Sequence, residues 1–153
     1  MSDDLIALAR ENVEAFNDGD WDRFRATLAD DSVYEEPGTQ RKVEGPDAIT
    51  ELNAGWKAAF FDANGTVTDA FACGDRVAIQ ITWEGTQSGS LGLPGGAEVP
   101  ATNKRVTIQA CQVARMADGK IAETTHYFDV LGMLEQLGAL SPEAMAQAGQ
   151  AAP

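Results

Sequence analysis

Few side chains in this sequence are suited to moving a proton. His126 is the one histidine, and an imidazole with an unperturbed pKa of about 6.5 suits a general base near neutral pH. It falls in Lys120–Asp129, which follows Lys104–Met116 across Asp118-Gly119. Asp-Gly between apolar runs is a tight hairpin turn, because glycine takes the positive φ that such turns demand. The turn brings Gln112 close to His126, directly or diagonally across the ladder. An amide N–H of Gln112 could then donate to a developing enolate oxygen. Glu36, or Tyr34 on the same face of Asp31-Ser-Val-Tyr-Glu-Glu-Pro37, could act as the second acid or as a ligand anchor. Proton abstraction beside a carbonyl is the reaction class these groups support, with activity titrating near neutrality. In a plainer reading His126 and Gln112 bond one another as satisfied buried polar groups, Glu36 is a solvated strand-end charge, and Asp129 caps the next helix.

These residues need a wall around them. If His126 faces inward, the two-residue period takes Ala122, Thr124 and Phe128 with it, opposite Ile108, Ala110 and Ala114. Small side chains there leave room for a guest, and Tyr34, Trp56 and Phe60 add an apolar wall, the usual make-up of a small-molecule pocket. The expected site therefore has His126, Gln112 and Glu36 as its chemical groups. Tyr34, Trp56, Phe60, Ile108, Ala110, Thr124 and Phe128 surround the substrate. No metal is expected, since one histidine and two isolated cysteines offer no ligand spacing. Cys73 and Cys111 are too few for a disulfide framework and read as free thiols in a reducing compartment, with a Cys111–His126 nucleophilic pair as a minor alternative.

The positioning elements follow from periodicity. Leu5, Leu8, Ala9, Val13 and Phe16 recur at helical spacing, Asn17-Asp-Gly-Asp20 breaks that helix, and a shorter one buries Trp21, Phe24 and Leu28. A strand over Asp31–Pro37 and a loop over Gly38–Gly45 lead to a third helix. Pro46 opens it, and Ile49, Leu52, Trp56 and Phe60 share one face. Residues 66–73 and 76–84 form a hairpin, with Val77, Ile79, Ile81 and Trp83 alternating against polar neighbours. Gly85 to Asn103 is rich in glycine and proline, and loops that long are usually lids or mobile. Lys104–Met116 is partly apolar on both faces and wants cover on both, for which a second subunit is economical. Gly138 stops a short helix. Ser141-Pro142-Glu143 starts a weak C-terminal one, within a tail from residue 139 that frays. With no repeat or linker, the chain reads as one domain over 1–153.

Charge narrows the partners. Eleven Lys and Arg face 24 Asp and Glu, a formal net charge of −13. Such a surface repels nucleic acid and anionic membranes. No run approaches a transmembrane span and no basic-then-apolar stretch opens the chain, so the expected location is cytoplasmic.

Helix, helix, strand, helix and then four long strands describe an α+β cone, a curved antiparallel sheet wrapped around three N-terminal helices. Here the chain resembles the nuclear transport factor 2-like superfamily, and within it the SnoaL-like polyketide cyclases and ester cyclases. The resemblance rests on Glu44-Gly-Pro-Asp-Ala-Ile49, Phe60-Phe61-Asp62, Gly74-Asp75-Arg76-Val77, and Gly85-Thr86 with Gly89, Gly92 and Leu93-Pro94. It continues through Pro100-Ala-Thr-Asn-Lys104 and Arg115-Met-Ala-Asp-Gly-Lys-Ile-Ala-Glu123 to Asp129, Leu131-Gly132 and Gln136-Leu-Gly138. It implies a homodimer joined through the sheet and an apolar pocket with no cofactor. It also implies ring closure by intramolecular aldol chemistry, with an aspartate as general acid/base helped by a histidine. Carried onto this chain, the family's His-Trp-Asp triplet falls on Thr124, Thr125 and His126, its upstream histidine on Gln112, and a further histidine on Gln87. About five residues, Gly95 to Val99, lengthen the loop. The fold carries over, while the cyclase residues do not carry over intact.

The resulting expectation is a cofactor-independent enzyme that cyclises or isomerises a small apolar carbonyl or polyketide-like compound. A hydrolase in which His126 activates water is a variant of it. The alternatives are a non-catalytic binder of an apolar metabolite and a dimeric interaction module with a filled cavity.

Overall fold

A strand half in water alternates its side chains, and Arg76–Thr86 does so, burying Val77, Ile79 and Ile81 while Gln80 and Glu84 face out. The computed structural model of the chain describes residues 2–140; the C-terminal helix expected at Ser141-Pro142-Glu143 and the tail after it lie outside them. Helices α1 (Ser2–Asp18) and α2 (Trp21–Ala26) come first, then β1 (Leu28–Glu36), β2 (Arg41–Glu44) and α3 (Pro46–Ala59). Next come β3 (Asn64–Cys73), β4 (Arg76–Thr86), the short β5 (Leu91–Gly92) and β6 (Glu98–Val99), β7 (Arg105–Ala117), β8 (Lys120–Phe128) and α4 (Val130–Gln136). Asp118 and Gly119 both take positive φ, 52° and 74°, at the turn between β7 and β8. Asp129 caps α4 by accepting from the Gly132 N–H at 2.8 Å.

The expected antiparallel cone is corrected here. Six strands pair in the order β2-β1-β8-β7-β4-β3. β1 runs parallel to β8, with Tyr34 beside Thr124 and Glu35 beside Thr125. The sheet is therefore mixed, and it is open, with β2 and β3 as separate edges. Side-chain alternation has the same period in either strand direction, so it carries no signal for a parallel pair. The direction is set where α2 delivers the chain: the Ile121 N–H donates to the Thr27 carbonyl at 2.8 Å, tying the α2–β1 junction to the start of β8.

Residues of α1 (Ala9, Val13, Phe16) and α3 (Ile49) join Val77, Ile79, Ile81, Ala114 and Met116 of the sheet in one buried cluster. A second gathers Ala59 and Phe60, Leu91 and Val99, Val106 and Ile108, and Met133 and Leu137 of α4. Trp56, Ala63, Trp83 and Phe128 touch both clusters, and the candidate site lies along this seam.

The stretch expected as a lid or mobile loop is braced from within. Gln87 is fully buried. Its Nε2 donates to the Gly89, Val99 and Pro100 carbonyls at 3.1, 2.9 and 3.2 Å. Its Oε1 accepts from the Thr102 hydroxyl and N–H at 2.8 and 3.2 Å. One side chain thus satisfies the polar groups of a segment with little regular structure, which buried backbone requires.

Candidate active site

His126 stands on β8 directly across from Gln112 on β7, and its ring is buried. Nδ1 lies 2.9 Å from the Tyr34 hydroxyl. Nε2 accepts from the Trp83 indole N–H at 3.2 Å. An indole N–H only donates, so Nε2 of the neutral ring is bare and the proton sits on Nδ1, donated to the Tyr34 oxygen. The Tyr34 hydroxyl donates in turn to Oε2 of Glu36 at 2.7 Å. That oxygen also accepts from the Trp56 indole N–H at 2.8 Å, and Oε1 accepts from the Thr39 hydroxyl at 2.7 Å. A single directed chain thus runs Trp83, His126, Tyr34, Glu36. Its far end is fully buried, not the solvated charge of the plainer sequence reading.

Burial sets the electrostatics. With no counter-ion beside it, desolvation lowers the His126 pKa from 6.5 to about 3, so the ring is neutral at pH 7. Burial, then the negative field of Glu36, then the hydrogen bond to Glu36 raise the Tyr34 phenol well above its ordinary value of 10. Tyr34 therefore keeps its proton and passes it only if another arrives.

The indole is positioned by its neighbours. Trp83 sits opposite Gly65 in the β3–β4 pair, where a Cβ would stand 2.6 Å from its ring. Asn17 holds Gly65 in place, accepting from its N–H at 2.7 Å and donating to its carbonyl at 2.9 Å. Phe16 meets the indole edge-on, centroids 5.0 Å apart. Trp83 pairs with Ile108 on β7 and His126 with Gln112. Ala110 lies between those two positions, and its small side chain lets the indole reach the imidazole across the intervening strand.

A cavity of about 80 Å³ opens beside this chain of bonds. Tyr34, Trp56, Phe60, Ile108, His126 and Phe128, all expected around the substrate, line it. Phe16, Trp83, Val106 and Met133 line it as well. Trp83 alternates in phase with Ile79 and Ile81, a signal that marks the inner face but does not separate core from wall. Glu36 is not a wall residue; it lies behind Tyr34 and Trp56. Ala110, Gln112 and Thr124 are also absent from the lining. The cavity covers the Val106–Ile108 end of β7, and Gln112 and Thr124 border a second, smaller chamber. Nor do His126 and Gln112 bond one another, since Tyr34 and Trp83 occupy the two ring nitrogens. Among the described residues no group of three or more His, Cys, Asp or Glu is placed to hold a metal ion.

Comparison with known proteins adds to this geometry. A family model described as SnoaL-like polyketide cyclase matches residues 6–137. AclR from Streptomyces galilaeus, a suggested hydroxylase, is similar at 28% identity over 92% of this chain and 100% of that chain, TM-score 0.77. IdmH from Streptomyces antibioticus, a suggested polyketide cyclase, is 29% identical over 86% of this chain and 96% of its own, TM-score 0.72. TsrD from Streptomyces laurentii is 25% identical over 90% and 96%, TM-score 0.76. No curated protein matches the chain.

Proposed function

The chain belongs to the SnoaL-like polyketide cyclase family, and from that premise we propose that it is a cofactor-independent acid/base enzyme acting on a small apolar carbonyl or polyketide-like compound. The observation that carries this reading is the hydrogen-bonded chain from the cavity wall at His126 through Tyr34 to Glu36. A carbonyl compound in the cavity takes the Trp83 N–H onto its oxygen, and Nε2 is freed. Nε2 removes a proton from the carbon beside the carbonyl; the Nδ1 proton moves to the Tyr34 oxygen, and the Tyr34 proton moves to Oε2 of Glu36. One C–H bond breaks, and the negative charge passes from the Glu36 carboxylate to an enolate held by the indole N–H. At this stage the imidazole is neutral with its tautomer exchanged. The enolate then attacks a second carbonyl, closing a ring, or is reprotonated at another carbon, giving an isomer. The new alkoxide or carbon takes the proton from Nε2, the protons return from Glu36 to Tyr34 and from Tyr34 to Nδ1, and the chain of bonds is restored. A histidine too desolvated to stay protonated still conducts a proton in this way. Gln112, outside the cavity, has no part in this scheme.

The direct test is exchange of the hydrogens beside the carbonyl of an apolar bicyclic ketone, 2-tetralone, for deuterium from the solvent, followed by mass spectrometry. Glu36→Gln, Tyr34→Phe and His126→Ala should each slow exchange by about 100-fold or more, the usual contribution of a positioned acid or base. Exchange in Glu36→Gln at the rate of the unaltered protein would remove Glu36 as terminal acceptor and end the scheme.

A second reading, a binder that leaves an apolar metabolite unchanged, is favoured by one observation: both ring nitrogens of His126 already have protein partners. It requires a ligand recovered intact and equal affinity in Glu36→Gln. The proposal extends to a homodimer through the outer face of the sheet, where Phe71, Ala78 and Val113 form a cross-strand row and Phe71 and Tyr127 are exposed.

A further inference from the structure

We propose that the smaller chamber behind Tyr34 is a resident-water site, with Ser32 Oγ and Asn53 as its principal ligands. Ser32 on β1 and Asn53 on α3 are both more than nine-tenths buried. Both line the chamber, with Gln112 and Thr124 facing them from β7 and β8. Ser32 Oγ is wholly buried without a hydrogen-bond partner among the described residues. A buried hydroxyl left so forfeits its hydrogen bond to water with nothing in return, and native structures seldom tolerate it. Asn53 spends one amide hydrogen on the Ile49 carbonyl at 2.9 Å and keeps a second to offer. The walls thus offer hydroxyl, amide and carbonyl groups in a space large enough for about one water, which meets the need of such a molecule for two to four polar partners. The substrate cavity differs, being walled mainly by aromatic and aliphatic side chains.

The placement gives the site a use. Tyr34 and Asn53 border both chambers, so the water lies one side-chain layer from the substrate cavity. The inference does not depend on the proton relay; it holds for an enzyme or for a binder.

The sign of one substitution separates a wet chamber from a dry one. If water sits on Ser32, Ser32→Ala removes a satisfied hydrogen bond and should lower Tm by about 2–4 °C, the shift expected for roughly 1 kcal/mol in a chain this size. If the chamber is dry, the same change removes an orphan hydroxyl, and Tm should hold or rise. Magnetic relaxation dispersion of the unaltered protein should count one long-lived water that Ser32→Ala loses. Thr124→Val, milder at a similar volume, repeats the comparison should Ser32→Ala fail to fold. A crystal structure should place a water within 3.2 Å of Ser32 Oγ and of one Asn53 amide atom. An unchanged water count in the variant, a Tm that holds or rises, or a chamber closed by rotated side chains would each overturn the proposal.

Discussion

A histidine lowered to about 3 makes a claim about stability as well as catalysis. Between that value and 6.5 the unfolded chain binds a proton at His126 and the folded chain does not. Stability is therefore complete above about pH 6.5 and falls as the pH drops toward 3. The full loss is roughly 5 kcal/mol. Urea titrations at pH 7.5 and pH 5 should show this slope, and His126→Leu should flatten it. Nitrogen NMR should hold the Nδ1-protonated tautomer unchanged through neutrality, so no activity limb near pH 6.5 belongs to this residue. The unperturbed value that suits a free imidazole for base catalysis is absent here. Any catalytic use must run through the neutral ring and its partner Tyr34.

At the scale of elements, two short contacts decide whether the site exists. Gly65 on β3 lets the Trp83 indole lie against bare backbone, and a Cβ at 2.6 Å would drive the ring off. Gly65→Ala should shift the near-ultraviolet tryptophan spectrum and weaken exchange at the substrate while leaving far-ultraviolet circular dichroism in place. Gln87 does the corresponding work for the segment between β4 and β7. Gln87→Leu keeps the volume but strands three carbonyls and the Thr102 donors, a loss of roughly 2–4 kcal/mol. Limited proteolysis should then cut first within residues 88–103, ahead of every strand of the six-stranded sheet. The glutamine standing where the resemblance places a histidine is thereby explained locally: it has two hydrogens and an oxygen to distribute, where an imidazole has two nitrogens.

For the molecule as a whole, an excess of 13 negative charges opposes close approach of copies, so any pairing must rest on apolar area and good packing. No helix of the described residues is long and apolar enough to cross a membrane. If the proposed dimer forms across the Phe71, Ala78 and Val113 row, Val113→Arg should shift sedimentation equilibrium from dimer to monomer at micromolar protein without changing the tryptophan spectrum. A single species of the same mass in both proteins would place the interface elsewhere. The Arg115–Glu123 pair, 3.3 Å apart on that face, is half exposed and adds little to stability by itself.

By itself the sequence determined most of the elements, the main turns and the family, because each is written in local periodicity or in a run of residues: the Asp118-Gly119 turn, the Asp129 cap, the alternation of β4. It did not mark β2, which forms within the stretch read as a loop, or the start of β1 at Leu28, read as part of the second helix. It did determine that His126 and Gln112 would lie near one another, since a tight turn joins their strands; their direct pairing depends on a register shift between Arg115 and Met116 that the sequence does not announce. Only the tertiary structure decided that β1 lies parallel to β8, as strand direction leaves no mark on side-chain alternation. Burial of Glu36, the bond from Trp83 across β7 to His126, and the separation of Gln112 from the cavity were decided there too. Each depends on which side chains from distant segments meet, and on the water they exclude when they do.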